Sequence, residues 1–466
     1  MVKFSNYSVL VTENCNLACK YCYEVTSSGH KNKKMNEKTA EDAVYFMFEQ
    51  VKDDEDVKEI TVSFFGGEPT LMPSIIDIMC SKGKELSKEY NKHFYASMIT
   101  NATNMNKKLY DVLKKHNDIW QSTQLSIDGP YDIQDEYRVT KANKGSFHLI
   151  QKNMPYWKEL YGDRLNIHGV INPNSVGRLY ESFLFFREEW NVPKLWFLPS
   201  KADWTDEHIE LYERELEKIY NYVLEKVKLN NNTEEVSNYA PLDRALRDGA
   251  MGKPCGAGES YCTITSDGGI WPCHHFYFID HKEELKLGSI YSDVDQNKKR
   301  LWDEYDVSDL IGCEECSHPA CYRCIAENYE KYKNPFVQIK GKHCAFMLLD
   351  HKYQQKLRKE LEKMGLINKK SESDKSATKC LGLIRDCVGK SGDCDVVVSV
   401  DECVFDREDC TNFSSKNIKD FEAVCETQET TCEKKEDTCC CKPDGNALKN
   451  MLDEVIGVLV KYHNKL

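Results

Sequence analysis

Cys15-Asn-Leu-Ala-Cys19-Lys-Tyr-Cys22 follows directly after the strand-like segment Tyr7–Val11. Its spacing is CxxxCxxC. Three thiolates this close can hold three irons of a four-iron cluster. The fourth iron is then open to a ligand, as the open position of a catalytic zinc site is. A zinc knot or a plain electron-carrier cluster is the alternative, but zinc takes four ligands and no fourth Cys or His adjoins the triplet. Outward from this loop, strand-like and helix-like segments alternate. Strand candidates are Tyr7–Val11, Glu59–Phe65, Phe94–Thr100, Gln121–Ile127, Leu165–Ile171 and Lys194–Leu198. Helical spacing of apolar residues marks Glu37–Val51, Ser74–Tyr90 and Lys107–His116. Six βα units in a row predict an α/β fold with a curled parallel sheet, and the length suits a partial (βα)6 barrel over residues 5–240 better than eight units.

The chain has 466 residues, enough for two to four domains, and 41% hydrophobic residues, enough for a packed core. Its net charge of −13 speaks against a nucleic-acid groove as the main surface. No apolar run approaches the ~20 residues of a membrane span. Met1–Thr12 lacks the pattern of a secretory signal, so a cytoplasmic location is expected. Cysteine is the anomaly, with 22 residues. Cytosolic thiols stay reduced, which favours metal or cluster ligation over disulfides.

Residues 250–350 are rich in Cys, Gly and turns, and read as a small cluster-stapled domain. A helix is expected at His351–Met364, stopped by Gly365, then a linker to 378. Residues 379–466 form a Cys-rich tail, with an amphipathic helix expected at Ala447–Tyr462. From 371 to 466 there are 13 Lys+Arg and 20 Asp+Glu, a balance of −7 out of −13.

The N-terminal half resembles the radical S-adenosylmethionine (SAM) superfamily, whose signature CxxxCxφC, with φ aromatic, is matched by Cys15, Cys19, Tyr21 and Cys22. The resemblance implies that the open iron binds SAM and that SAM is cleaved to methionine and a 5′-deoxyadenosyl radical, which takes hydrogen from substrate. Further matches follow in order. Gly66-Gly67-Glu68-Pro69 ends the second strand, where the family's motif contacts the SAM amino group. Asn101 ends the third strand. Ser126 and Asp128, at the end of the fourth, resemble ribose and carboxylate contacts. Arg138 resembles a position lining the SAM site. All lie at C-terminal strand ends, where sites of parallel α/β folds gather.

Cys255, Cys262, Cys273, Cys313, Cys316, Cys321, Cys324 and Cys344 resemble the SPASM domain of that superfamily. The gaps before Cys321 and Cys324 are each one residue shorter than its pattern. The resemblance implies two auxiliary [4Fe-4S] clusters, three clusters in all. One would take Cys255, Cys262, Cys273 and Cys324. The other would take Cys313, Cys316, Cys321 and Cys344. Two structural zincs are the alternative on spacing alone. With Cys262 free, the first auxiliary cluster would have an open iron facing the barrel, where a substrate thiolate could bind.

Members of this family modify peptides and proteins. In the anaerobic sulfatase-maturating branch, which makes formylglycine, an Asp after the third SPASM cysteine acts as base. His274 stands at that position here, and is either a catalytic proton acceptor or a buried histidine. The missing Asp favours the other branch, which matures Cys-containing ribosomal peptides by oxidation or thioether crosslinking. The implied partners are a Cys-containing precursor peptide, a separate leader-recognition protein, and an electron donor such as flavodoxin or ferredoxin. A non-catalytic iron–sulfur carrier or metal-binding protein is the reading from another class.

Five intervals between neighbouring tail cysteines are seven residues, among them Cys380 to Cys387 and Cys432 to Cys439. A degenerate repeat fits this better than one helix, because Gly389 and Gly392 interrupt it. The tail reads as a metal site, a fused Cys-rich substrate, or a docking appendage. Deletion of residues 371–466 tests whether the tail holds a required site. Unchanged turnover of a separate peptide, followed by mass spectrometry, is the outcome expected of a tail that holds no required site.

Overall fold

The computed structural model describes residues 4–26, 32–246, 255–279, 283–304, 324–337 and 341–368. All of these except residue 368 lie in one compact unit, Met1–Ile367. Among the described residues nine strands form one sheet: β1 (Asn6–Thr12), β2 (Glu59–Gly66), β3 (His93–Thr100), β4 (Trp120–Ser126), β5 (Leu165–Ile171), β6 (Lys194–Pro199), β7 (Tyr261–Ile264), β8 (Gly269–Trp271) and β9 (Gly288–Ser289). Their order is β6-β5-β4-β3-β2-β1-β7-β8-β9. The first six strands are parallel and sequential, and β6 does not close onto β1. This is the open six-stranded βα array expected from the sequence.

The strands show why the array has a site. In β2, β3 and β5 burial alternates residue by residue, as the two-residue period of a strand requires. One phase is apolar and packs under the helices: Ile60, Val62 and Phe64; Phe94, Ala96 and Met98; Leu165 and Ile167. Phe48 of the helix Glu37–Val51, for example, stacks on Phe94 with centroids 6.2 Å apart. That helix starts where its sequence says it should, since Asn36 accepts a hydrogen bond from the Thr39 amide at 2.8 Å. The other phase is half-buried and largely polar, including Thr61, Ser63, Ser97, Gln124, Ser126, Asn166 and His168. A complete parallel barrel fills its interior with branched apolar residues. This concave face is lined instead for a polar occupant.

Residues 250–350 begin on the same sheet, and one expectation, on the C-terminal helix, needs correction. β7 pairs in parallel with β1, and β8 and β9 follow antiparallel, so they extend the same sheet. The C-terminal helix is Lys342–Lys363, beginning nine residues before the expected His351. Its buried positions Phe346, Asp350, Tyr353, Leu357 and Leu361 already carry a helical period, which the cysteine reading of Cys344 hid. Gly365 takes the left-handed conformation (φ +72°) just past the helix end, as a stop signal does. Cys313, Cys316, Cys321, the tail cysteines and Ala447–Tyr462 lie outside the described residues, and no described helix is long and apolar enough to cross a membrane.

The C-terminal helix docks on Asp206–Asn230 through a buried polar pair, in which the Tyr212 hydroxyl donates to Asp350 at 2.6 Å. Burial pushes the Asp350 carboxyl up from 3.8 to about 7, with Tyr212 opposing. Between roughly pH 4 and 7 the folded chain therefore keeps a proton that the unfolded chain has lost, and stability falls as pH rises through that window. Asp350→Asn never ionises. Its melting temperature relative to wild type should rise from pH 4 to pH 7, as measured by thermal unfolding; a parallel pair of curves would refute the assignment.

Candidate active site

The cysteine loop leaves β1 at the C-terminal edge of the sheet and is held from two sides. On one side the Gly66-Gly67-Glu68 turn docks on its backbone. The Gly67 amide donates to the Thr12 carbonyl at 2.8 Å and the Glu68 amide to the Asn14 carbonyl at 2.9 Å. A Cβ at Gly66 would sit 2.1 Å from the Thr12 oxygen, and one at Gly67 2.5 Å from Asn14. Gly66 also has φ +130°, which favours glycine. The close approach seen here is thus to the chain's own loop. Glu68 is buried, and its carboxylate accepts from the Thr70 amide and hydroxyl, the Thr100 hydroxyl and the Asn101 amide, at 2.6–3.1 Å. Burial raises its pKa against these donors. With four donors on two oxygens the carboxylate is satisfied within the protein, so this motif would meet a ligand through its backbone. Asn101 continues the circuit, with its Nδ2 2.9 Å from Asn16 Oδ1 and 3.6 Å from Cys15 Sγ.

On the other side, the Ala18 amide donates to the Val139 carbonyl at 2.7 Å and the Lys20 amide to the Tyr137 carbonyl at 2.9 Å. Asp128 gathers this side. It accepts from the Tyr21 hydroxyl at 2.6 Å, Arg138 Nε at 2.9 Å and the Val170 amide at 2.9 Å. Arg138 lies over the Tyr21 ring, 5.3 Å from its centroid, and its charge favours the Cys19 thiolate. Tyr21, Asp128 and Arg138 are therefore brought together with Cys19, and Ser126 ends β4 just before them.

The three thiols share one loop. Burial pushes Cys15 up to about 12, with Glu68, Cys19 and Cys22 adding to it, and raises Cys19 against the opposing Arg138. Half-buried thiols crowded in this way favour a cationic partner, since a metal centre takes them as thiolates. Three sulfurs on one loop suit a four-iron cluster with one open iron.

A second group of thiols stands beyond Tyr23. Cys255, Cys273 and Cys324 lie close enough to raise one another's pKa, and Tyr23 feels both Cys22 and the pair Cys273 and Cys324. Cys262, expected to complete this group, does not join it. In β7 it points to the face opposite Tyr261, fully buried in the hydrophobic core, with Tyr7 and Lys299 as its ionisable neighbours. Cys344 lies on the helix Lys342–Lys363.

His274 packs against Phe65, 4.3 Å between ring centroids, and its Nδ1 is 3.2 Å from the Tyr261 hydroxyl. It sits at the edge of the concave face, and burial lowers its pKa to about 3, so it is neutral there. Its neighbour His275 was not singled out from the sequence. His275 stacks on Tyr23 at 4.7 Å, with Nε2 3.0 Å from Lys201 Nζ and Nδ1 3.5 Å from Cys324 Sγ. Glu330 Oε2 lies 3.6 Å from the same Nε2 and 2.7 Å from Lys201 Nζ. His275, Cys324 and Glu327 place their ligand atoms within 4.8 Å of one another. Tyr23, Lys201 and Glu327 also escaped the sequence reading, because nothing in their spacing ties them to the cysteines.

This is a radical SAM domain, and residues 9–179 match the radical SAM superfamily. The chain is homologous to anaerobic sulfatase-maturating enzymes. It is 26% identical over 342 residues to the cysteine-type anaerobic sulfatase-maturating enzyme of Clostridium novyi, covering 68% of this chain and 87% of that protein. The fold is shared with solved structures of anSMEcpe. A SAM-bound form superposes with a TM-score of 0.62 at 17% identity, covering 82% of this chain and 98% of that one. A form with SAM and a Cys-containing peptide, Cp18Cys, gives 0.58 at 18%, covering 77% and 99%.

The Arg138–Asp128 pair is buried on both sides. Asp128→Ala leaves the guanidinium unpaired and should cost about 3–5 kcal/mol in denaturant unfolding. Tyr21→Phe, which removes one hydroxyl bond to the same carboxylate, should cost less, about 1.5–3 kcal/mol.

Proposed function

We propose that this protein is a radical SAM peptide maturase that takes hydrogen from a residue of a Cys-containing peptide and yields an oxidised or thioether-crosslinked product. The observation that carries this is the open triplet Cys15, Cys19 and Cys22, held at the C-terminal edge of a parallel sheet over a polar concave face. A four-iron cluster on these sulfurs would supply the electron that cleaves SAM to methionine and a 5′-deoxyadenosyl radical. The chain's own residues do the rest. The glycine turn and Arg138 fix the loop. Ser126 and the backbone of residues 66–69 line the place where SAM would sit. Tyr23, Phe65 and His274 wall the side that faces the second thiol group. Cys255, Cys273 and Cys324 are our choice for an auxiliary cluster, and Cys313, Cys316, Cys321 and Cys344 for another. An acceptor is needed because thioether formation removes two hydrogens, one to the deoxyadenosyl radical and the other as a proton and an electron.

A second reading is a formylglycine-forming sulfatase maturase. The homology to the Clostridium novyi enzyme favours it. Against it stands His274 where that branch's base is an Asp, since a neutral imidazole held against Phe65 by burial is a weak proton acceptor.

The test is anaerobic. The protein, loaded with iron and sulfide, is given SAM and a strong reductant. Wild type should release 5′-deoxyadenosine, and the triple variant Cys15→Ala, Cys19→Ala, Cys22→Ala should not. With a Cys-containing peptide present, mass spectrometry should show two hydrogens lost with sulfur kept; loss of sulfur to an aldehyde would establish the sulfatase-type reading instead. Absence of SAM cleavage under any reductant would sink both.

A further inference from the structure

Among the buried polar atoms that the described residues leave without a partner, one stands on the polar phase of β5. His168 stands on β5, opposite Ser126 of β4 and Trp196 of β6 in the sheet register. Its Nε2 is buried and has no hydrogen-bond partner among the described residues. Its ring meets Trp196 edge-on, 5.4 Å between centroids, and the charged groups that act on it are Arg138 and Asp128. Trp196 itself is 36% exposed, so the wall is open on that side. Nearly every buried polar atom of a native protein is paired, and an exception calls for an explanation such as an absent ligand.

The ring chemistry narrows the ligand. Burial keeps the imidazole neutral, so it offers one N–H and one lone pair. A hydroxyl can meet Nε2 in either tautomer, because it both donates and accepts. An ammonium or a carboxylate suits only one. Asp128 does not compete for such a hydroxyl, since its carboxylate is already held by Tyr21, Arg138 and the Val170 amide. We propose that His168 is a binding residue for the ribose of SAM, its Nε2 hydrogen-bonded to one of the two ribose hydroxyls, with Ser126 beside it on β4. This rests on the concave face being the SAM site.

The experiment uses the iron-loaded full chain and equilibrium dialysis of SAM and of its 2′-deoxy and 3′-deoxy counterparts. Wild type should bind one deoxy compound roughly five- to tenfold more weakly than SAM, the range of one neutral hydrogen bond. His168→Phe should bind SAM more weakly by the same factor and no longer distinguish that deoxy compound, while His168→Gln should recover part of the discrimination. Equal affinities in wild type and His168→Phe would overturn the proposal. So would a weakened variant that still discriminates the deoxy compounds, which points to a disturbed wall, or a variant that binds SAM normally and fails only with peptide. Should His168→Phe not fold, the glutamine variant and the wild-type deoxy series still decide the matter. A wild-type protein that binds no SAM at all would instead remove the premise, and is distinguishable from each of these outcomes.

Discussion

The site depends on a contact between two backbones. Gly66 and Gly67 end β2 so near Thr12 and Asn14 that no side chain fits between them. That contact sets the height of the cysteine loop above the sheet. From it a circuit of hydrogen bonds runs from Glu68 to Thr100 and Asn101, and from Asn101 back to Asn16 and the Cys15 sulfur. Three parallel strands are thereby tied to one loop at their C-terminal ends. A buried carboxylate is costly unless its oxygens are satisfied; here the donors that satisfy Glu68 are the same groups that position the loop.

The second circuit has a different character. Asp128 joins the loop to β4, β5 and the segment after β4 through a buried ion pair. Such a pair contributes little net stability, yet is costly to break. It is therefore suited to holding Arg138 in one place beside Cys19 rather than to strengthening the fold as a whole. Together the two circuits hold the loop at both flanks, beside the polar phase of the strands.

How much of this was legible follows from what each signal measures. The strands could be read because their apolar phase packs under helices, and the start of Glu37–Val51 because Asn36 caps it. The cluster loop could be read because three thiols in eight residues have few other uses. Glu68 was legible as part of a motif but not in its role, since the four donors on its carboxylate come from two separated segments, Thr70 and Thr100–Asn101. His168 was missed although β5 announces it, with Asn166 and His168 occupying the polar phase of an otherwise apolar strand. Period-2 alternation was used to find strands; it also separates the face that packs from the face that binds.

The same alternation governs the second thiol group. Counting cysteines assigns Cys262 to the set with Cys255, Cys273 and Cys324, because spacing treats every cysteine as free to turn inward. Cys262 is not free to do so. It lies within β7, paired to Tyr7 of β1, and a strand residue can face the other side only if the register slips by one, which would carry Tyr261 and Thr263 with it. Tyr261 is held on its face by His274, and the sheet beside it by the parallel pairing to β1. The three cysteines that do gather lie outside the strands, at Cys255 before β7, Cys273 after β8 and Cys324 before the helix Ile325–Tyr332. Loop cysteines converge here and strand cysteines do not. The group that approaches Cys324 instead is His275 Nδ1, at 3.5 Å, held there by Tyr23 stacking and by Lys201.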